Sequence, residues 1–154
     1  MNLSQLPHHT VLRDMNPADV PGIVCIEQRV HTYPWSSGNF IDAIKSNYVC
    51  KIYETDGEIL GYVVFMFAVD EVHLLNISIA TDYQRKGLGR GLLGVTMDIA
   101  RGYNMRRMLL EVRHSNTAAL GLYRDVGFHQ IGLRHGYYSA GNAREDGIVM
   151  EYLL

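Results

Sequence analysis

Residues 84–90 read Gln84, Arg85, Lys86, Gly87, Leu88, Gly89 and Arg90, and apolar positions then recur at Leu92, Val95 and Ile99 with helical spacing. Without side chains at Gly87 and Gly89, a ligand can approach the backbone. The first N–H groups of a helix have no partner inside it and point along the axis. Together with roughly half a positive charge from the helix dipole, they favour an anion. Arg85, Lys86 and Arg90 add formal charge, so the stretch suits a pyrophosphate. No Walker lysine–serine pair follows and no magnesium ligand lies near, which argues against a nucleoside triphosphatase. A competing pattern overlaps the first. Residues 89–94, Gly-Arg-Gly-Leu-Leu-Gly, match the dinucleotide fingerprint, and Glu111 stands 22 positions beyond Gly89. Context opposes that reading. The polar stretch Thr81 to Leu88 intervenes after Ala80, the chain is too short for two βαβαβ halves, and an antiparallel hairpin sits where alternating units belong.

Three further side chains are placed for chemistry. Glu111 lies near the end of the apolar run Met108 to Val112, where partial burial raises a carboxylate's affinity for a proton. The plain alternative is a structural ion pair with Arg113 or another cation. Asn116 and Tyr123 are seven apart, two helical turns, so they share a face able to line a ligand. Equally, Asn116 serves as a helix cap and Tyr123 as a packed aromatic. The histidines His31, His73, His114, His129 and His135 are scattered without metal-ligand spacing, so no metal is expected, and His8 and His9 read as tail residues.

The elements that must hold these residues follow from periodicity. A short strand precedes a helix through Val20, Ile23, Val24 and Glu27 to Val30, with Asn16 before Pro17 as its cap. A second helix begins at Ser36 or Ser37 and buries Phe40, Ile41 and Ile44. Residues 48–54 and 59–69 form a hairpin around Asp56-Gly57, and 71–80 a third strand. A helix runs from Leu88 to near Gly102, then come a strand over 107–113 and a helix stopped by Gly127. Two strands, 129–138 and 146–154, close the chain around a loop. This order predicts an α+β fold with a mixed, mostly antiparallel sheet flanked by helices, as one domain over residues 1–154.

Composition narrows the class. With 47% hydrophobic residues in 154, one core is affordable. The formal charge is only −2, giving no reason to expect nucleic acid or an anionic membrane as partner. The start, MNLSQLPHHT, lacks the pattern of a secretion signal, and the apolar run at 63–69 is too short to cross a bilayer. A cytoplasmic protein is expected, with Cys25 and Cys50 as buried, reduced thiols.

Gln84-x-x-Gly87-x-Gly89 between a strand and a helix resembles the acyl-CoA pyrophosphate loop of the GNAT N-acetyltransferase superfamily. The blocks IEQRVHTYPWS, LLNISIATDYQRKGLGRGLL, LLEVRHSNTAALGLYRDVGF and GYYSAGNAREDGIVM resemble, in order, the bacterial ribosomal-protein-alanine N-acetyltransferases (RimI type). The resemblance implies a GNAT fold, acetyl-CoA as cosubstrate, and acetyl transfer to the N-terminal amine of a small-subunit ribosomal protein. It implies Glu111 as general base, Tyr123 as general acid and Asn116 as a cofactor contact. It also implies that the backbone of Asn76 to Ile79, hence Ile77, Ser78 and Ile79, bonds the pantetheine arm. Tyr33, Trp35, Tyr137 and Tyr138 would wall the entrance for the peptide, with Glu145 or Asp146 attracting its positive terminus or a basic side chain. Lysine side chains or small amines as acceptors, and a non-catalytic acyl-CoA-binding module, are the competing expectations.

Overall fold

The structure, a computed structural model, describes residues 9–154. Seven strands are ordered β1-β2-β3-β4-β5-β7-β6, and every neighbouring pair is antiparallel except β4 and β5. The strands are β1 (Thr10–Asp14), β2 (Val49–Thr55), β3 (Glu58–Ala68), β4 (Glu71–Ile79), β5 (Arg107–Arg113), β6 (His129–Ala140) and β7 (Ala143–Leu153). Between them run α1 (Val20–Val30), α2 (Ser37–Lys45), α3 (Leu88–Gly102) and α4 (Thr117–Val126).

Each face of the sheet has its own core. On one, Leu88, Leu92, Leu93, Met97 and Ala100 of α3 and Leu120 and Tyr123 of α4 cover Val63, Phe65, Met108, Leu110 and Met150. On the other, Val20 and Ile23 of α1 with Phe40 and Ala43 of α2 cover Cys50, Ile52, Tyr62 and Val64. Alternate residues of β3 therefore enter opposite cores, which is why its sequence is apolar without alternation. The β2–β3 hairpin turns on Asp56 and Gly57, both at positive φ (49° and 82°), as an Asp-Gly pair permits.

Local chemistry sets the helix starts. Asn16 and Asp19 form a capping box over the short 3-10 turn Pro17–Asp19 that leads into α1, and Ser36 with Asn39 does the same for α2. Two expectations are corrected here. Cys25 is exposed on α1, because its position falls on the solvent side of the stripe made by Val20, Ile23 and Glu27; only Cys50 is buried. The segment read as a loop before Asp146 is instead the end of a hairpin, paired through Ala140 and Ala143. An irregularity between Arg134 and Tyr138 hides this pairing from any alternation pattern.

Candidate active site

The parallel ladder between β4 and β5 runs from Glu71 opposite Arg107 to Leu74 opposite Leu110, and stops. Both strands continue, so the sheet splits. Leu75 is an extra residue in β4 relative to β3, since Phe65 faces Leu74 and Val64 faces Asn76. The bulge turns the far half of β4 while keeping it bonded to β3. Ala80 donates to the Leu60 carbonyl at 2.9 Å, which fixes the phase of that antiparallel ladder. By alternation, Asn76 and Ser78 spend their backbone groups on β3, whereas Ile77 and Ile79 present theirs to the split. The Ile79 carbonyl is taken by the Gln84 amide at 3.0 Å, so Gln84 ties the following loop to β4.

That loop delivers the chain into α3. Gly87 caps the helix at φ 81°, no side chain caps the helix start, and Arg85 adopts φ 61°. A left-handed conformation costs a non-glycine residue about 1–2 kcal/mol. The N–H groups of Leu88, Gly89 and Arg90 thus open a helix without a capping side chain. Arg85 and Lys86 are exposed beside them; Lys86 lies over the Tyr83 ring, and Arg90 reaches Asp125 at 3.8 Å.

Glu111 is the first β5 residue beyond the end of the ladder. Its side chain, 29% exposed, pairs with Arg134 Nε at 2.9 Å rather than with Arg113. Arg113 is engaged by Glu145 at 2.8 Å and lies between the rings of Tyr33 (3.9 Å) and Tyr138 (4.4 Å). Tyr137 packs edge-on against Tyr138 and under Arg134. Three of the four aromatics therefore gather on the Glu111 face of the split. Trp35 does not join them, because its ring packs on Phe40 in the α1–α2 core. Glu145 and Asp146 both have partners: Asp146 accepts from the Gly136 N–H at 2.9 Å.

Tyr123 lies on the opposite face, 7% exposed and packed on Phe128. Burial, with Tyr138 adding a smaller push, raises its hydroxyl to about 12. Asn116 caps α4 by accepting from the Ala119 N–H at 3.3 Å.

One group escaped the sequence reading. Glu27 of α1 is 1% exposed and accepts hydrogen bonds from Tyr62 (2.8 Å), Asn76 (3.0 Å) and the Trp35 N–H (3.1 Å). His31, one turn on, reaches Ser78 Oγ at 2.7 Å and Glu27 at 3.3 Å. The i, i+4 pairing of Glu27 and His31 was the available signal; their β4 partners lie too far along the chain to form a pattern. Among the described residues, no cluster of three or more His, Cys, Asp or Glu could hold a metal, and no helix is long and apolar enough to cross a membrane.

A sheet split beside a helix start that favours anions, with a carboxylate on one face and a buried phenol on the other, is the layout of an acyltransferase fed by a phosphate-bearing carrier. The acetyltransferase (GNAT) family model matches residues 20–128, and the chain belongs to that family. It is an N-acetyltransferase, and its family uses acetyl-CoA. It is 35% identical over 139 residues to the [ribosomal protein bS18]-alanine N-acetyltransferase of Escherichia coli K12, covering 90% of this chain and 94% of that one. The crystal structure of the Escherichia coli ribosomal-protein-S18-alanine N-acetyltransferase superposes with a TM-score of 0.85 at 34% identity, covering 94% and 93% of the two chains. Arabidopsis thaliana NAA60, solved in complex with acetyl-CoA, shares the fold at 19% identity, with a TM-score of 0.81 and coverage of 94% and 98%.

Proposed function

We propose that this chain transfers the acetyl group of acetyl-CoA to the N-terminal α-amine of a ribosomal protein, the alanine terminus of small-subunit protein bS18 as in the Escherichia coli relative. The observation that carries this reading is Glu111 standing first past the end of the β4–β5 ladder, where the sheet opens. Acetyl-CoA supplies an acetyl group activated as a thioester. The N–H groups of Leu88, Gly89 and Arg90, with Arg85 and Lys86, hold its pyrophosphate. The free backbone groups of Ile77 and the N–H of Ile79, whose carbonyl Gln84 already holds, bind the pantetheine amides, as a strand would.

The amine attacks only with a lone pair, yet an α-amino group titrates near 8 and is mostly protonated at neutral pH. Glu111 accepts a proton on the face where Tyr33, Tyr137 and Tyr138 meet. On the other face, Tyr123 keeps its proton at neutral pH and gives it to the departing sulfur. Neither cysteine is needed as a nucleophile; burial raises the Cys50 thiol to about 11.

The test is incubation with acetyl-CoA and alanine-initiated peptides whose termini are free or blocked, read by mass spectrometry. Acetyl on the free terminus alone is expected, and Glu111→Gln is expected to lose about 10²-fold or more in kcat. Acetyl found only on internal lysines, or a Glu111→Gln enzyme as fast as the parent, refutes the assignment.

A further inference from the structure

The hydrogen bonds around Glu27 fix more than the fold of β4. A carboxylate only accepts, so the Asn76 group at 3.0 Å and 3.2 Å from it is the amide NH2. Asn76 Oδ1 is therefore turned to Ser78 Oγ at 2.9 Å, and the Ser78 hydroxyl donates to it. Its one proton meets only acceptors there, Asn76 Oδ1 and, at 3.5 Å, Glu27 Oε1, so Ser78 Oγ must accept from His31 Nε2 at 2.7 Å. Neutral His31 is thus the Nε2–H tautomer. Both of its contacts, to Ser78 and to Glu27, are made by Nε2, and Nδ1 has no partner among the described residues. The side chain is 30% exposed.

The placement matters as much as the tautomer. Asn76 and Ser78 belong to the freed half of β4, on the sheet face covered by α1. Glu111 belongs to the freed half of β5. One wall of the split thus carries His31 through Ser78, and the other carries Glu111. The groups facing His31, the residue that caps the end of α1, are Glu27 of that helix, Tyr62 of β3 through that carboxylate, and the neutral Asn76 and Ser78 of β4. A proton arriving at Nδ1 makes an imidazolium whose Nε2–H already points toward a buried carboxylate, so no group has to move.

Resting on the acetyl-transfer reading, we infer that His31 Nδ1 is a second proton acceptor for the reaction, taking a proton from the incoming ammonium before Glu111 takes the next. Two protons must leave the nitrogen. The ammonium arrives with three protons on nitrogen and the amide leaves with one. The first passes to His31, converting ammonium and imidazole to amine and imidazolium with no change in net charge. The amine nitrogen then bonds to the acyl carbon, its second proton goes to Glu111, the carbon–sulfur bond breaks, and the sulfur takes the Tyr123 proton. One of the two collected protons restores Tyr123 and the other leaves through solvent.

His31→Gln keeps an amide donor for Ser78 and removes the ring acceptor. If His31 supplies free amine, the variant depends on amine already deprotonated in solution, about a tenth of the total at pH 7 and most of it above pH 9. The expected kcat/KM deficit is therefore about tenfold at pH 7 and closes by about pH 9.5. A deficit equal at all pH values, or none at all, overturns the inference, since a purely structural loss follows no amine titration. Long-range 1H–15N spectra of the His31 ring judge the assignment without substrate. A bare Nδ1 and protonated Nε2 are expected, and the opposite tautomer overturns it. An inactive parent enzyme counts against the acetyl-transfer reading, while the ring spectra still decide the place of His31.

Discussion

A phenol serves as an acid only while it holds its proton, and Tyr123 holds it because the α4 face buries it against Phe128. Tyr123→Phe keeps that packing and removes only the hydroxyl. The expected result is a fall in kcat of about 10²-fold with the peptide KM little changed, measured by steady-state thiol release. A variant within twofold of the parent makes Tyr123 a core residue and nothing more. Arg113 illustrates a different use of charge at the same scale. Held by Glu145 and the Ser139 carbonyl and stacked between Tyr33 and Tyr138, it joins the α1–α2 connection to the β6–β7 hairpin across the opening. The sequence offered an ion pair of Glu111 with Arg113 or another cation as the plain alternative to a base; the cation is Arg134, because β6 brings it alongside β5 through β7.

Among the elements, the freed half of β4 is the most constrained. A methyl group at Gly61 would lie 2.6 Å from Ile79 Cδ1 and 2.7 Å from the Ser78 carbonyl, too close for either. Gly61→Ala is expected to push β4 off β3 at Ser78 and Ile79, costing about 1–3 kcal/mol in stability. It should weaken acetyl-CoA binding as well, seen by calorimetry beside a urea titration; unchanged affinity in a destabilised protein would separate that strand from the cofactor. Much of this scale was legible beforehand. Asp56-Gly57, the apolar run of β3, the Asn116 and Gly127 ends of α4 and the glycine loop all state their roles within a few residues. What stayed hidden depends on distance along the chain. The Leu75 bulge has no local signature, the β6–β7 pairing is interrupted by its own irregularity, and Glu27 looks like an ordinary helix position until β4 arrives with Asn76 and Ser78.

For the molecule as a whole, buried hydroxyls set an alkaline limit. Burial lifts Tyr123 and Tyr138 to about 12, and raises Tyr53 and Tyr62 as well. An unfolded tyrosine ionises near 10 while these remain protonated in the fold. Their contribution to stability is therefore complete below about pH 10 and lost as pH rises through about 12. Urea midpoints are expected to be lower at pH 11 than at pH 8, with Tyr123→Phe losing less than the parent. An equal loss in the two proteins would remove Tyr123 from the account. At the acid end the sign reverses. Arg13 holds the Asp19 carboxyl below its usual range, so that pair stabilises above ordinary carboxylate pH and fails as pH falls.

The two portions of the sheet meet at only four residue pairs, Glu71–Arg107 to Leu74–Leu110. Under the proposed function, the acyl carrier occupies the place where that seam parts, so a loaded enzyme is braced where an empty one is held by the shortest stitch in its fabric. Shortage of the carrier then acts on abundance as well as on rate, because the unbraced chain opens more often and is cut sooner by proteases.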